Sequence, residues 1–102
     1  MRHNGQVIVI TRYSVSEADA EAFRTEAANA VAALAARPGF LRHRLGRAAD
    51  DPELWTLVTE WEGAGPYRRA LSSYEVKVAA VPLLSRALDE PSAYEVVDGH
   101  SP

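Results

Sequence analysis

Residues 40–67 have the sequence FLRHRLGRAADDPELWTLVTEWEGAGPY. We interpret Phe40–Ala48 and residues 54–61 as two short extended strands, the second of which contains Trp55, Val58 and other residues that favour strands. The acidic, proline-containing residues 50–53 between them predict a turn. A short glycine- and proline-containing break then leads to a helix that we expect to begin near Tyr67. The stretch therefore predicts a β-hairpin followed by a sharp strand-to-helix corner.

The residues before the hairpin predict one strand and one long helix. Residues 6–14 contain four consecutive β-branched side chains, a pattern typical of a strand covered on both faces. Ser16 is a favourable N-cap for a helix over residues 17–36, and Pro38-Gly39 ends that helix. The apolar side chains at helical spacing, which should face the core, are Phe23, Ala27, Ala30, Val31 and Leu34.

The residues after the hairpin predict a broken helical region and a final strand. Pro82 should break or kink the helix, and Pro91 should stop it. Residues 93–97 are the last predicted strand, and residues 98–102 form a polar tail. The side chains placed on one helical stripe at the start of this region are Tyr67, Ala70, Leu71 and Tyr74.

The element order β-α-β-β-α-β is typical of the α+β, ferredoxin-like arrangement. A single domain spanning residues 1–102, with an ordered core over about 6–97, should form a four-stranded antiparallel sheet with helices on one face. Residues 7–10, however, place apolar side chains on both faces of the sheet. A homodimer packed through the helix-free faces would cover the second face, so we predict a dimer.

Composition excludes several classes of function. The net charge is −3 with dispersed basic residues, which argues against a nucleic-acid partner. The sequence contains no cysteine, so thiolate nucleophiles and cysteine metal sites are excluded. No apolar segment approaches the length of a membrane span, and we expect a cytoplasmic protein without a membrane partner. No metal-binding, phosphate-binding or nucleophile-elbow motif is present.

Four segments together resemble the antibiotic biosynthesis monooxygenase family, whose members are dimeric α+β barrels. They are residues 37–45 (RPGFLRHRL), 55–62 (WTLVTEWE), 67–71 (YRRAL) and 91–96 (PSAYEV). The likeness extends over about residues 6–97. It implies functions such as cofactor-independent oxidation of polyketide anthrones to quinones, haem degradation or quinol oxidation.

The anthrone-oxidising branch of this family carries a Trp at the end of strand three and a Tyr six residues later, which Trp61 and Tyr67 match. The resemblance implies chemistry without metal or flavin, in which a deprotonated phenolic substrate reacts directly with O₂. Leu57 replaces the Asn that this branch has four residues before the Trp. The haem-degrading branch requires an Asn and a His where this chain has Thr11 and Leu71, so no haem is expected.

Trp61 and Tyr67 are candidate catalytic residues, although both types also pack well at a corner. His43 is a candidate general base, because histidine side chains are commonly used for proton abstraction, but a lone strand histidine is more often exposed. A four-residue turn would place His43 opposite Glu60, and one bulged residue would place it opposite Trp61.

Three further residues are candidates for substrate binding. Arg86 could hold an enolate or carboxylate at the mouth of a pocket, or it could face solvent. Tyr13 and Tyr74 could line a cavity, although core packing is the simpler interpretation of each. The same two interpretations apply to Tyr94, which is not one of these three candidates.

The sequence leaves three functions open. The first is a cofactor-independent oxygenase or oxidase acting on an aromatic polyketide, anthrone, quinol or similar polycyclic phenol, with molecular oxygen as co-substrate. The second is a polyketide-type cyclase or isomerase that uses the same pocket to fold its substrate. The third is a non-catalytic dimeric binding protein for a small molecule. Fold alone does not choose among them.

Overall fold

The computed structural model describes residues 5–100. The four strands and the long helix appear in the predicted order. The third strand begins at Asp51 rather than at residue 54, and the last strand ends at Glu95 rather than at residue 97. In chain order the elements are β1 Val7–Ser14, a 3₁₀ turn Glu17–Asp19, α1 Ala20–Ala35, β2 Phe40–Ala48, β3 Asp51–Trp61, α2 Ala64–Ser72, α3 Tyr74–Ala79, α4 Val81–Leu84 and β4 Ala93–Glu95.

Strands β1 to β4 form one four-stranded sheet in the order β2-β3-β1-β4. Every neighbouring pair is antiparallel, which confirms the predicted ferredoxin-like α+β fold. Side chains of β1 and β3 alternate between the two faces of the sheet. Those buried on the helix-covered face are Val7, Val9, Thr11, Tyr13, Trp55, Leu57, Thr59 and Trp61.

Helix α1 covers this face through the five side chains that the helical spacing identified. Phe23, Ala27, Ala30, Val31 and Leu34 are all buried. Three of the five are aliphatic or aromatic side chains larger than alanine, and the two alanines let the helix lie close to the sheet. The start of the helix differs from the prediction, because Glu17–Asp19 form a 3₁₀ turn and Ser16 Oγ bonds to Asp19 Oδ2 at 3.0 Å rather than capping the backbone.

The hairpin has a different register from both predicted alternatives. Ala48 pairs with Asp51, so the turn is shorter than predicted, and His43 lies opposite Thr59 rather than Glu60 or Trp61. Irregularities between Phe40 and Arg42 and between Arg47 and Ala48 account for the shift. Residues 52–54 are left without partners on β2, partly because Pro52 has no N–H to donate.

The second helical region is broken at two places. Ser73 has an extended backbone, with φ −74° and ψ 150°, and separates α2 from α3. Its hydroxyl accepts a hydrogen bond from the Val76 N–H at 3.3 Å. The break before Pro82 falls at Ala80, so Pro82 lies in the first turn of α4, where its missing N–H is tolerated. The proline break was predicted, and the Ser73 break was not.

None of the helices in residues 5–100 covers the opposite face of the sheet. Ile10 and Val58 face each other across β1 and β3 at the centre of this outer face, and Arg42 forms an ion pair with Glu60 at its edge. Ile10 and Val58 are each only partly covered. Within residues 5–100, no helix is both long enough and apolar enough to cross a membrane.

Candidate functional site

Trp61 ends β3 inside the layer between the sheet and the helices. Its side chain is completely buried, between the rings of Phe40 and Tyr67, whose centroids lie 5.2 and 5.5 Å from that of Trp61. The indole Nε1 donates a hydrogen bond to Thr59 Oγ1 at 2.9 Å. Trp61 and Tyr67 therefore lie together at the corner, as the sequence predicts, although Trp61 has no exposed surface.

We call Phe40, Trp61 and Tyr67 the first aromatic trio. The corner that holds this trio depends on Gly39. Its φ of +91° lies in the left-handed region, and a Cβ there would approach Pro66 Cβ to 2.4 Å. The Gly39 carbonyl accepts from the Glu62 N–H at 2.8 Å, which ties the start of β2 to the residue after Trp61. Glycine is therefore required for β2, β3 and α2 to meet at this corner.

A second aromatic trio lies at the opposite end of β3. Phe23 contacts Tyr13 and Trp55 at centroid distances of 5.1 and 5.4 Å. The guanidinium of Arg47 lies 5.3 Å from the centre of the Trp55 ring, a cation–π arrangement. The two trios leave the middle of the helix-covered face to Leu57 and the two threonines discussed next.

Thr11 and Thr59 are the buried polar residues of the described part of the chain. Each lies two residues before an aromatic residue on the same strand face, Thr11 before Tyr13 and Thr59 before Trp61. The sequence alone did not predict these threonines as part of the site. The available signal was the repeated spacing Thr-x-aromatic on strands whose inward positions are otherwise apolar.

The Tyr13 hydroxyl is buried and has no hydrogen-bond partner among residues 5–100. Burial raises its pKa above the ordinary value of 10.0, while the nearby Thr11 hydroxyl and the charge of Arg86 oppose the rise. The Thr11 hydroxyl donates a hydrogen bond to the Leu57 carbonyl oxygen at 3.4 Å. Although it lies near the Tyr13 hydroxyl, the two hydroxyls are not hydrogen-bonded to each other. The phenol of Tyr13 is thus a protonated, unused donor inside the protein.

Burial also raises the pKa of Tyr67 above 10.0, and the proximity of Tyr13 raises it further. Both phenols therefore remain neutral at physiological pH and can donate hydrogen bonds to a negatively charged oxygen. An interior that combines apolar walls with neutral hydroxyl donors can stabilise an enolate or phenolate without supplying a charge of its own.

A cavity of about 360 Å³ lies beside Thr11. Its other walls come from Ile10, from Leu84 at the end of α4, and from the irregular connection between α4 and β4. We call this connection, residues 85–92, the strap. The cavity is within the size range of small-molecule sites in proteins.

The remaining sequence candidates lie at different depths. His43 is exposed on the edge strand β2, although its pairing with Thr59 places both side chains on the helix-covered side of the sheet. Arg86 is half exposed on the strap and forms an ion pair of 2.6 Å with Glu26 of α1. Tyr74 is 76% exposed, so the interpretation that it packs in the core is wrong.

The exposure of Tyr74 follows from the break at Ser73. A continuous helix would have placed Tyr74 on the same stripe as Tyr67, but the extended Ser73 backbone resets the helical phase. Tyr94 is also partly exposed, and its hydroxyl donates to the Pro91 carbonyl at 3.1 Å. Residues 5–100 contain no group of three or more His, Asp or Glu side chains that could hold a metal ion.

The fold and this interior define the class of protein, a small α+β domain with aromatic and hydroxyl side chains enclosed between sheet and helices. The family model for antibiotic biosynthesis monooxygenases matches residues 6–81, and the chain belongs to that family. The sequence matches none of the curated proteins with which it was compared.

Solved structures share the fold of this protein over nearly the whole chain. The protein is similar to SnoaB, a cofactor-independent oxygenase from Streptomyces nogalater, at 27% identity with a TM-score of 0.78, covering 93% of this chain and 96% of SnoaB. A conserved protein from Methanosarcina mazei shares the fold at 18% identity, with a TM-score of 0.73 and coverage of 94% of this chain and 95% of the other. Another from Bacteroides thetaiotaomicron shares it at 12% identity, with a TM-score of 0.76 and coverage of 92% and 100%.

Proposed function

We propose that this protein is a cofactor-independent oxygenase or oxidase that acts on an aromatic polyketide, anthrone, quinol or similar polycyclic phenol. The observation that carries the proposal is the buried Tyr13 hydroxyl, which has no hydrogen-bond partner among the described residues and shares the interior with the Tyr67 phenol. The similarity to SnoaB supports oxygen chemistry in the same fold.

In the proposed reaction, an anthrone methylene loses a proton and becomes an electron-rich carbanion that is conjugated with an enolate oxygen. Tyr13 and Tyr67 donate hydrogen bonds to that oxygen, which lowers the cost of removing the proton. The carbanion then reduces O₂ directly. One oxygen atom replaces the two methylene hydrogens as a carbonyl and the other leaves as water, so the substrate supplies all four electrons.

Trp61 shapes the apolar wall beside Tyr67 in this proposal, because it is enclosed by Phe40 and Tyr67. The proton acceptor is His43 or a water molecule. His43 is exposed and adjacent to solvent, and a comparison of the pH–rate profiles of the native protein and His43→Gln distinguishes the two acceptors. Arg86 adds positive charge near the site, and this charge opposes the rise in the pKa of the Tyr13 hydroxyl.

The proposal includes a homodimer formed through the outer face of the sheet. Ile10 and Val58 place branched apolar side chains at the centre of that face, which no helix of the described residues covers. A second copy would remove this surface from water and favour association through the hydrophobic effect.

Oxygen uptake with a panel of anthrones and naphthols tests the proposed function. We expect chelator-resistant uptake, and a fall of about tenfold or more in kcat/KM in Tyr67→Phe and Tyr13→Phe, because each loses a donor to the developing oxyanion. Trp61→Phe preserves an aromatic wall and tests the indole separately. Tyr74→Phe, which removes an exposed phenol, is the matched control and should retain native activity.

Other outcomes distinguish the alternative functions. Uptake no faster than the buffer blank across the panel contradicts the oxygenase proposal. Substrate rearrangement without oxygen consumption would indicate the cyclase or isomerase, and tight binding without turnover would indicate a binding protein.

A further inference from the structure

The strap is attached to the edge of β1 at two points that enclose a bulge. Below the bulge, the Ile10 N–H donates to the Ser92 carbonyl at 2.7 Å, which continues the β1–β4 pairing. Above it, the Leu88 N–H donates to the Arg12 carbonyl at 2.8 Å. Three strap residues, 89–91, therefore lie beside a single β1 residue, Thr11. The cavity occupies the space that this mismatch creates.

Side-chain contacts fasten the strap at its exposed surface. Arg12 binds Glu90 through two hydrogen bonds, Nε to Oε2 at 2.8 Å and Nη2 to Oε1 at 2.9 Å. Arg86 binds Glu26 of α1 at the other end of the strap. Both ion pairs are substantially exposed, and exposed pairs contribute little to stability and weaken further as salt is added.

The strap has little apolar anchoring compared with the helix before it. Leu88 is 38% exposed, whereas Leu83 of α4 is almost completely buried. A segment without regular secondary structure, held by exposed polar contacts and few buried side chains, opens at a lower free-energy cost than the core beneath it. Opening the strap would uncover Thr11, which is buried in the present conformation.

We propose that the cavity between Thr11 and the strap is the port through which a ligand reaches the interior, and that the Arg12–Glu90 pair is its latch. The identity of the ligand, an uncharged polycyclic phenol, rests on the proposed function; the opening of the port does not. Thr11 lies at the inner end of the port, two residues before Tyr13 on the same strand face, so a ligand that enters there approaches the unused phenol donor.

The absence of cysteine from the sequence allows a direct test of the port. Thr11→Cys introduces a unique thiol at the inner end of the port. Thr59→Cys introduces a matched thiol at a similarly buried position on β3 that does not line the cavity. Each is combined with Glu90→Gln, which removes the charge of the latch, and with Glu53→Gln, which removes an exposed charge from the far end of β3. The measured quantity is the rate of modification by N-ethylmaleimide.

We expect Glu90→Gln to accelerate modification of Thr11→Cys by about threefold, the change expected for loss of an exposed ion pair. The rate for Thr59→Cys should not change, and Glu53→Gln should affect neither thiol. An unchanged rate at position 11 overturns the proposal. Equal acceleration at positions 11 and 59 also overturns it, because it shows general loosening rather than local opening.

Amide exchange gives a second measurement that needs no introduced thiol. Glu90→Gln should accelerate exchange of the Leu88 amide, whose hydrogen bond to Arg12 closes the port, and should leave the β3 amides unchanged. An unchanged Leu88 exchange rate contradicts the latch. Neither measurement uses oxygen or substrate, so failure of the oxygen-uptake assay and failure of the port are separate results.

Discussion

The indole Nε1 of Trp61 donates a 2.9 Å hydrogen bond to Thr59 Oγ1, two residues earlier on the same face of β3. Both side chains are buried, so this bond satisfies an indole N–H that water does not reach. It also fixes the orientation of the ring that separates Phe40 from Tyr67. The hydroxyl of Thr59 therefore matters for the position of the tryptophan as well as for stability.

Thr59→Val should lower the free energy of unfolding by about 1–3 kcal/mol, because it preserves side-chain shape but leaves the indole N–H without an acceptor. Urea unfolding measures the change. In a Trp61→Phe background the same substitution should have a much smaller effect, since no indole N–H remains to be satisfied. Equal losses in the two backgrounds would contradict a role for the hydrogen bond.

Tyr13→Phe and Tyr67→Phe should each remove a late-ionising phenol from the ultraviolet titration of the folded protein. Burial raises the pKa of both groups above 10.0, so they release their protons after an unfolded chain would. The unfolded state therefore binds fewer protons above pH 10.0, and stability should fall as the pH rises beyond that value.

The matched control for this titration is Tyr74→Phe, which should leave the late part of the curve in place. If neither buried tyrosine contributes to the late part of the curve, the two phenols are accessible to hydroxide and do not lie in a dry interior. That result would remove the main physical support for their role as oxyanion donors.

Gly39→Ala should destabilise the protein by at least about 2 kcal/mol, since it combines left-handed backbone strain with overpacking. The new methyl group would lie 2.4 Å from Pro66 Cβ. Gly5→Ala is the comparison, because Gly5 also has a positive φ, of 81°, but a Cβ there meets nothing within 4 Å. Thermal or urea unfolding of the two variants separates strain from collision, and equal losses would exclude the collision with Pro66.

Val58→Asp should convert the proposed dimer to a monomer, because it places a charge at the centre of the outer face, opposite Ile10. Light scattering at micromolar concentration measures the mass. Val78→Asp makes the same substitution at an exposed position on α3 and should leave the dimer intact. A native protein that is already monomeric under these conditions would disprove this interface.

The sequence predicted the elements whose signals are local. The β-branched residues of β1, the apolar stripe of α1 and the Pro38-Gly39 stop all act through short-range backbone preferences, and the corresponding elements appear in the structure. Trp61 and Tyr67 were also paired correctly, because the strand-to-helix corner between them is short.

The errors concern features that tertiary packing decides. The bulges that set His43 opposite Thr59 depend on how β3 pairs with β1 as well as with β2, which the hairpin sequence alone does not specify. The break at Ser73 has no proline or glycine to mark it, and it turned Tyr74 to solvent. The attachment of the strap could not be predicted from the local sequence, because it depends on Arg12, which is far from Glu90 along the chain.

The two aromatic trios each contain one tryptophan, and these are the only two in the sequence. Their indoles have contrasting surroundings: Trp61 has a hydrogen-bonded Nε1, whereas Trp55 lies beside the Arg47 guanidinium and its buried Nε1 has no partner among residues 5–100. Trp55→Phe and Trp61→Phe would thus give two single-tryptophan proteins whose fluorescence reports on opposite ends of the interior. The molecule carries its own pair of optical probes, one at the corner and one near Tyr13.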